Sequence, residues 1–103
     1  MRIPKKIHIG PFVHPIVFVK ELKDDNGAEL YGKIMFKNEG NVILLSKGMQ
    51  ESRNATTFMH EILHGINALH GIEGMPEEAV TNIAVTLIDT IRRNKLDFLD
   101  AVE

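Results

Sequence analysis

Ala55-Thr56-Thr57-Phe58-Met59-His60-Glu61-Ile62-Leu63-His64-Gly65-Ile66-Asn67-Ala68-Leu69 is the stretch on which the reading of the fold turns. Ala55, Phe58, Ile62, Ile66 and Leu69 recur every three or four residues, the period of a helix with one apolar face. Met59 and Leu63 widen that face, so the spacing predicts a helix buried on more than one side. His60 and His64 stand beside the stripe. Residues four apart lie one above the other on a helix, so both imidazoles can reach a single metal ion. Glu61, next to the first of them, is placed to take a proton from water activated at that ion. The plain alternative is a surface helix that happens to carry two histidines, and the apolar flanks argue against it.

Working outward, Gly71 reads as the C-terminal stop of this helix. Met75-Pro76-Glu77-Glu78 then starts a second helix, with proline in the first turn and two carboxylates suited to the positive helix end. That helix runs to about Arg93, where cations suit its negative end. Leu96, Phe98, Leu99 and Val102 suggest a short terminal helix. Upstream the pattern changes to strands. Ile7-His8-Ile9 and Ile16-Val17-Phe18-Val19 are β-branched or aromatic runs bounded by Gly10-Pro11 and His14-Pro15. Asp24-Asp25-Asn26-Gly27 is a turn signal, Leu30 to Phe36 the returning strand, and Val42-Ile43-Leu44-Leu45 the next. The predicted class is α+β: a small N-terminal antiparallel sheet of three to four strands, then the two helices.

Composition narrows the rest. A chain of 103 residues is one small domain, 1–103, large enough for its own core. A net charge of −2 with 44% hydrophobic residues gives no basic excess, so no nucleic-acid partner is expected. No apolar run is long enough for a membrane span. Met1 to Lys6 lead into alternating residues and not into a signal-peptide core, which points to the cytoplasm. With no cysteine, any zinc must be held by histidine and carboxylate.

A catalytic zinc keeps three protein ligands, so His60 and His64 need a third. His70, six residues after His64, has the spacing of the long metzincin motif, but Asn67 stands where that motif needs glycine to break the helix. Glu77 and Glu78 are the other candidates. Glu77 heads the stripe Val80, Ala84, Leu87 and Ile91, whereas Glu78 shares the mixed face of Asn82, Val85 and Asp89. A carboxylate at the head of an apolar stripe is costly unless a cation pairs with it, which favours Glu77. Glu78 and His70 stay open.

The block Phe58 to Asn67, a short glycine-containing loop, and then Glu77-x-x-Val80-x-x-Ile83-Ala84 resembles the phage-type minigluzincins, minimal relatives of the ImmA/IrrE-like metallopeptidases. The likeness also covers the upstream strand Leu30-Tyr31-Gly32-Lys33-Ile34, but its specific part is the His-Glu-x-x-His block. It implies a zincin-like minimal domain in which His60, His64 and Glu77 ligate Zn2+ and Glu61 is the general base. It further implies hydrolysis of a peptide or protein substrate, a regulator among the candidates, and a phage or prophage origin, hence the host cytoplasm. The larger gluzincins add a His or Tyr donor to the carbonyl oxygen from a downstream domain. This chain has neither residue after His70, so Tyr31, His8, His14, Arg92 or Arg93 would have to serve, or the activity is weak or latent. The alternative is a zinc-bearing protein that binds a host or phage regulator without cutting it. Glu61 speaks against that, since a structural site has no use for a carboxylate beside its first ligand.

Overall fold

The chain opens with two strands joined by two residues. β1 (Lys6–Ile9) and β2 (Phe12–Val19) pair antiparallel, with Ile9 opposite Phe12. Gly10 takes φ +57 in the link, the positive value that a tight hairpin needs. The computed structural model describes residues 3–36 and 40–94, so the terminal helix expected around Leu96 to Val102 lies outside the described residues.

β2 begins earlier than Ile16 and runs through His14-Pro15. Its residues 12–15 pair with β1 and its residues 16–19 pair with β4 (Val42–Ser46). Pro15 therefore sits where one ladder ends and the other begins, where its missing N–H is least felt. β3 (Gly32–Met35) pairs antiparallel with β4, and the sheet order is β1-β2-β4-β3. The sheet is thus mixed and not wholly antiparallel, because β4 runs parallel to β2. Ile43 and Leu45 are fully buried and their neighbours half-buried, so this apolar run belongs in the middle of the sheet.

The turn at Asp24 to Gly27 forms, but it does not join paired strands of the sheet. Asp24 Oδ1 accepts hydrogen bonds from the Asn26 and Ala28 N–H groups, and Lys23 bridges Glu29. This local ribbon carries the chain past β4's place, which leaves β3 on the outer edge.

α1 (Glu51–Leu69) lies across the sheet. Ile9, Ile43, Leu45 and Phe58 form the core, with Ile3, Ile7, Ile16, Ile34 and Ile62 packed around it. The helix turns further than the apolar stripe predicted: Ala55, Phe58, Glu61 and Gly65 are buried, while Ile66 and Leu69 are exposed. Two glycines explain the rotation. A Cβ on Gly65 would lie 2.8 Å from Ile9 Cδ1 and 3.0 Å from Ile34 Cδ1; one on Gly32 would lie 2.7 Å from Thr57 Cγ2. Helix and sheet approach most closely at the residues without side chains. Thr57 and Glu61 thereby meet Gly32, and Gly65 meets Ile34, so α1 and the edge strand β3 advance in the same direction.

α1 ends at the expected place. Gly71 adopts φ +67, its N–H donates to the Ala68 carbonyl, and the Ile72 N–H donates to the Asn67 carbonyl, a Schellman closure. α2 (Glu77–Asn94) follows Pro76 and packs back on α1 through Val80, Ala84 and Ile88. Ile88 takes the place expected of Leu87, which is exposed, and Ile91 is half-buried. Among the described residues no helix is long and apolar enough to cross a membrane.

Candidate metal centre

His60 and His64 stack along α1 as their spacing requires, with Nε2 atoms 3.0 Å apart. The loop after α1 then returns the chain across this face. Gly71 and Gly74, both at positive φ, bend it, and Asn67 Nδ2 donates to Met75 Sδ at 3.5 Å. The first residue of α2 arrives opposite the two imidazoles. Glu77 Oε1 lies 2.5 Å from His60 Nε2 and 3.0 Å from His64 Nε2. These three ligand atoms converge on one point, and the group could hold a metal ion.

Of the three candidates for the third position, only Glu77 joins the cluster among the described residues. Asn67 stays helical, so His70 remains at the exposed end of α1 and is not swung back. Glu78 is exposed and outside the group, as its offset of about 100° on an ideal helix implies. The reason for Glu77 differs from the one its stripe suggested. It continues the line of Val80, Ala84 and Ile88 one turn beyond the core, and its side chain is 70% exposed. Position, not burial, selects it.

Thr81 completes the arrangement, and the sequence reading missed it. Its Oγ1 lies 3.3 Å from His60 Nδ1. The signal was there: Thr81 is four residues after Glu77, hence on the same helical face. The tautomer with Nδ1–H towards Thr81 presents His60 Nε2 as a metal donor, and the tautomer with Nε2–H donates to Glu77 Oε1 at 2.5 Å. Two imidazoles and a carboxylate are donor types that hold zinc, so the set fits a cation. His60, His64 and Glu77 would hold the ion, and zinc is the dication that suits two imidazoles and a carboxylate in a chain without cysteine.

Partial desolvation raises the pKa of Glu77, but hydrogen bonds with His64 and His60 and their nearby charge more than offset it, and the net shift is downward. Glu61 behaves in the opposite way. It faces the sheet at 6% exposure, and burial pushes its carboxyl up to about 7. The charge of His64 opposes that rise, Glu77 adds to it, and a backbone hydrogen bond with Ile34 opposes it. A divalent cation at the three-residue group would pull it back towards ionisation.

Two grooves meet at this point. One, of about 630 Å³, runs past Tyr31, Arg53, Thr57, His60 and Thr81. The other, of about 650 Å³, runs past Lys33, Ile34, His64, Asn67 and Ile72. Gly32, Glu61 and Glu77 line both, so the grooves follow the free edge of β3 to either side of the ligand group. Of the five residues considered as donors to a carbonyl oxygen, Tyr31 lines this cleft. His14 is buried in β2 and faces a different pocket, His8, Arg92 and Arg93 line neither groove, and Arg93 pairs with Asp89. Comparison with family models, curated proteins and solved structures finds no match to this chain.

Proposed function

We propose that this chain is a zinc-dependent peptide-bond hydrolase of the minigluzincin kind, acting on an extended segment of a peptide or protein. One observation carries the reading: a His60-His64-Glu77 group with a separate buried carboxyl, Glu61, beside it in a cleft along the edge strand β3. Zinc bound there would supply Lewis acidity, lowering the pKa of water towards ~7 and polarising a carbonyl. Thr81 beside Nδ1 would orient His60 for ligation, and Glu77 brings negative charge that a dication favours. Glu61, ionised beside a bound cation, accepts the proton of the attacking water and returns it to the leaving amine. Among the described residues β3 has no strand on its outer side, and it offers N–H and C=O groups to a substrate added as another strand.

The convergence of His60, His64 and Glu77, carried by two helices, on one point supports a ligand group over a surface helix that happens to carry two histidines. A non-cleaving zinc protein is the second reading, and one observation favours it. Of the five candidate donors to a carbonyl oxygen, Tyr31 alone lines the cleft among the described residues. Incubation of zinc-loaded protein with a diverse peptide library, read by mass spectrometry, separates the two. The proposal expects new peptide termini that vanish in Glu61→Gln protein, since general-base catalysis is worth about 10²–10⁴ in rate. Intact peptides in both samples, with zinc present, would reject it.

A further inference from the structure

The groove on the Tyr31 side of the ligand group contains a charge that the hydrolytic chemistry does not use. Arg53 is exposed on the first turn of α1, and its guanidinium lies 4.5 Å from the centre of the Tyr31 ring. Both residues line the cleft that holds His60, Glu61 and Glu77. Stacking on an aromatic face fixes the plane of a guanidinium and leaves its N–H edge free to donate. Among the described residues no carboxylate pairs with Arg53. Glu29 lines the same groove but makes no ion pair with it, and Glu61 and Glu77 serve the metal chemistry. The positive end of α1 has the same sign of field and adds to that of Arg53.

We infer that Arg53, braced on Tyr31, is a specificity residue that selects a substrate carboxylate on the carboxyl-terminal side of the cleaved bond. The inference takes the substrate strand as antiparallel to β3, the pairing with the more favourable hydrogen bonds. Such a strand runs from the Phe36 end towards the Tyr31 end, so residues after the cleaved bond pass Arg53. The distance follows from the helix. Arg53 precedes His60 by seven residues, about 10 Å of helix rise, and an extended peptide covers that in roughly three residues. The long Arg53 side chain leans over Tyr31, next to Gly32, and shortens the span. The carboxylate therefore belongs to the second or third residue after the bond, either as an Asp or Glu side chain or as a free chain end. Guanidinium donates to it in pairs of charge-assisted bonds that an amide cannot replace.

This inference rests on the proposed zinc site, so its test avoids cleavage. The probes are N-mercaptoacetyl tripeptide amides, whose thiolate binds zinc and whose peptide extends over the carboxyl-terminal side of the site. One series carries Glu at the second or third residue, a second carries Gln, and a third carries Gln with a free terminal carboxylate. Affinity is measured by calorimetry on zinc-loaded wild-type, Arg53→Ala and Arg53→Glu protein, with zinc content determined for each sample. The wild type should prefer a carboxylate probe by about fivefold, the scale of a partly exposed charge pair, and less at high salt. A gain with Glu identifies an acidic side chain; a gain confined to the free acid identifies a chain terminus. Arg53→Ala should erase the preference and Arg53→Glu invert it, both with full zinc content. Lost packing over Tyr31 would weaken charged and neutral probes alike and would not invert their order. Equal affinity of Glu and Gln probes for wild type overturns the inference while leaving the zinc site intact. Absence of zinc overturns both together.

Discussion

Replacing Glu61 with Gln should make the metal-free protein more stable, and the gain should grow with pH. Glu61 is buried, and its carboxyl titrates at about 7 in the folded chain against 4.5 when unperturbed. Between those two values the folded state binds a proton that the unfolded state does not. Stability contributed by the neutral carboxyl is therefore complete below about 4.5 and is lost as pH rises through 7. The span from 4.5 to about 7, at 1.36 kcal/mol per unit, amounts to roughly 3 kcal/mol of destabilisation fully present near pH 8. Gln keeps the shape and one hydrogen-bond acceptor without the charge. Urea unfolding of chelator-treated wild type and Glu61→Gln at pH 5 and pH 8 measures the effect. The variant's advantage should increase by about 2–3 kcal/mol between the two. An advantage that is absent, or flat with pH, would show that Glu61 is solvated and would remove the physical basis for its role as a base. The same substitution is expected to abolish the proposed hydrolysis.

Thr81→Val should leave the fold intact yet lower zinc affinity about tenfold, because His60 loses the partner that orients its ring; unchanged affinity in a competition titration would refute that role. His14, 2% exposed with Nδ1 unpartnered among the described residues, has its pKa lowered by burial. The unfolded chain binds its proton first, so this histidine costs stability as pH falls below about 6.5. His14→Leu should flatten the acid side of the stability curve by up to about 1.4 kcal/mol per pH unit, and a parallel curve would refute this. Gly65→Val should cost about 1–3 kcal/mol by forcing Ile9 and Ile34 from their places, lowering the melting temperature by several degrees. A melting temperature equal to wild type would mean that the close approach of α1 to the sheet is not tight.

What the sequence disclosed depended on how local the cause was. His60 and His64 share a face because helical rise is fixed, and Gly71 closes α1 because left-handed backbone suits glycine. Both are decided within a few residues. That Glu77 faces the two histidines was legible through its line with Val80 and Ala84, although it stands beyond the buried part of that line. The sheet order was less legible. That β4 inserts between β2 and β3, parallel to the former, depends on pairing between segments separated by a turn and a strand. The signal lay in the unbroken apolar run Val42 to Leu45, which suits a central strand better than a hairpin edge. The rotation of α1 that buries Glu61 and exposes Ile66 followed from Gly32 and Gly65, two gaps that periodicity does not register. Arg53 gained meaning only when the strand containing Tyr31 was placed beside it.

His60, His64 and Glu77 are expected to hold zinc while Glu61 stands apart from it. Metal analysis of purified wild type, His64→Ala, Glu77→Gln and Glu61→Gln, side by side after equilibration with limiting zinc, decides the matter. One zinc per chain is predicted for the wild type and for Glu61→Gln, with His64→Ala and Glu77→Gln losing at least tenfold in affinity. Full zinc occupancy in His64→Ala, or loss of zinc from Glu61→Gln, would contradict it.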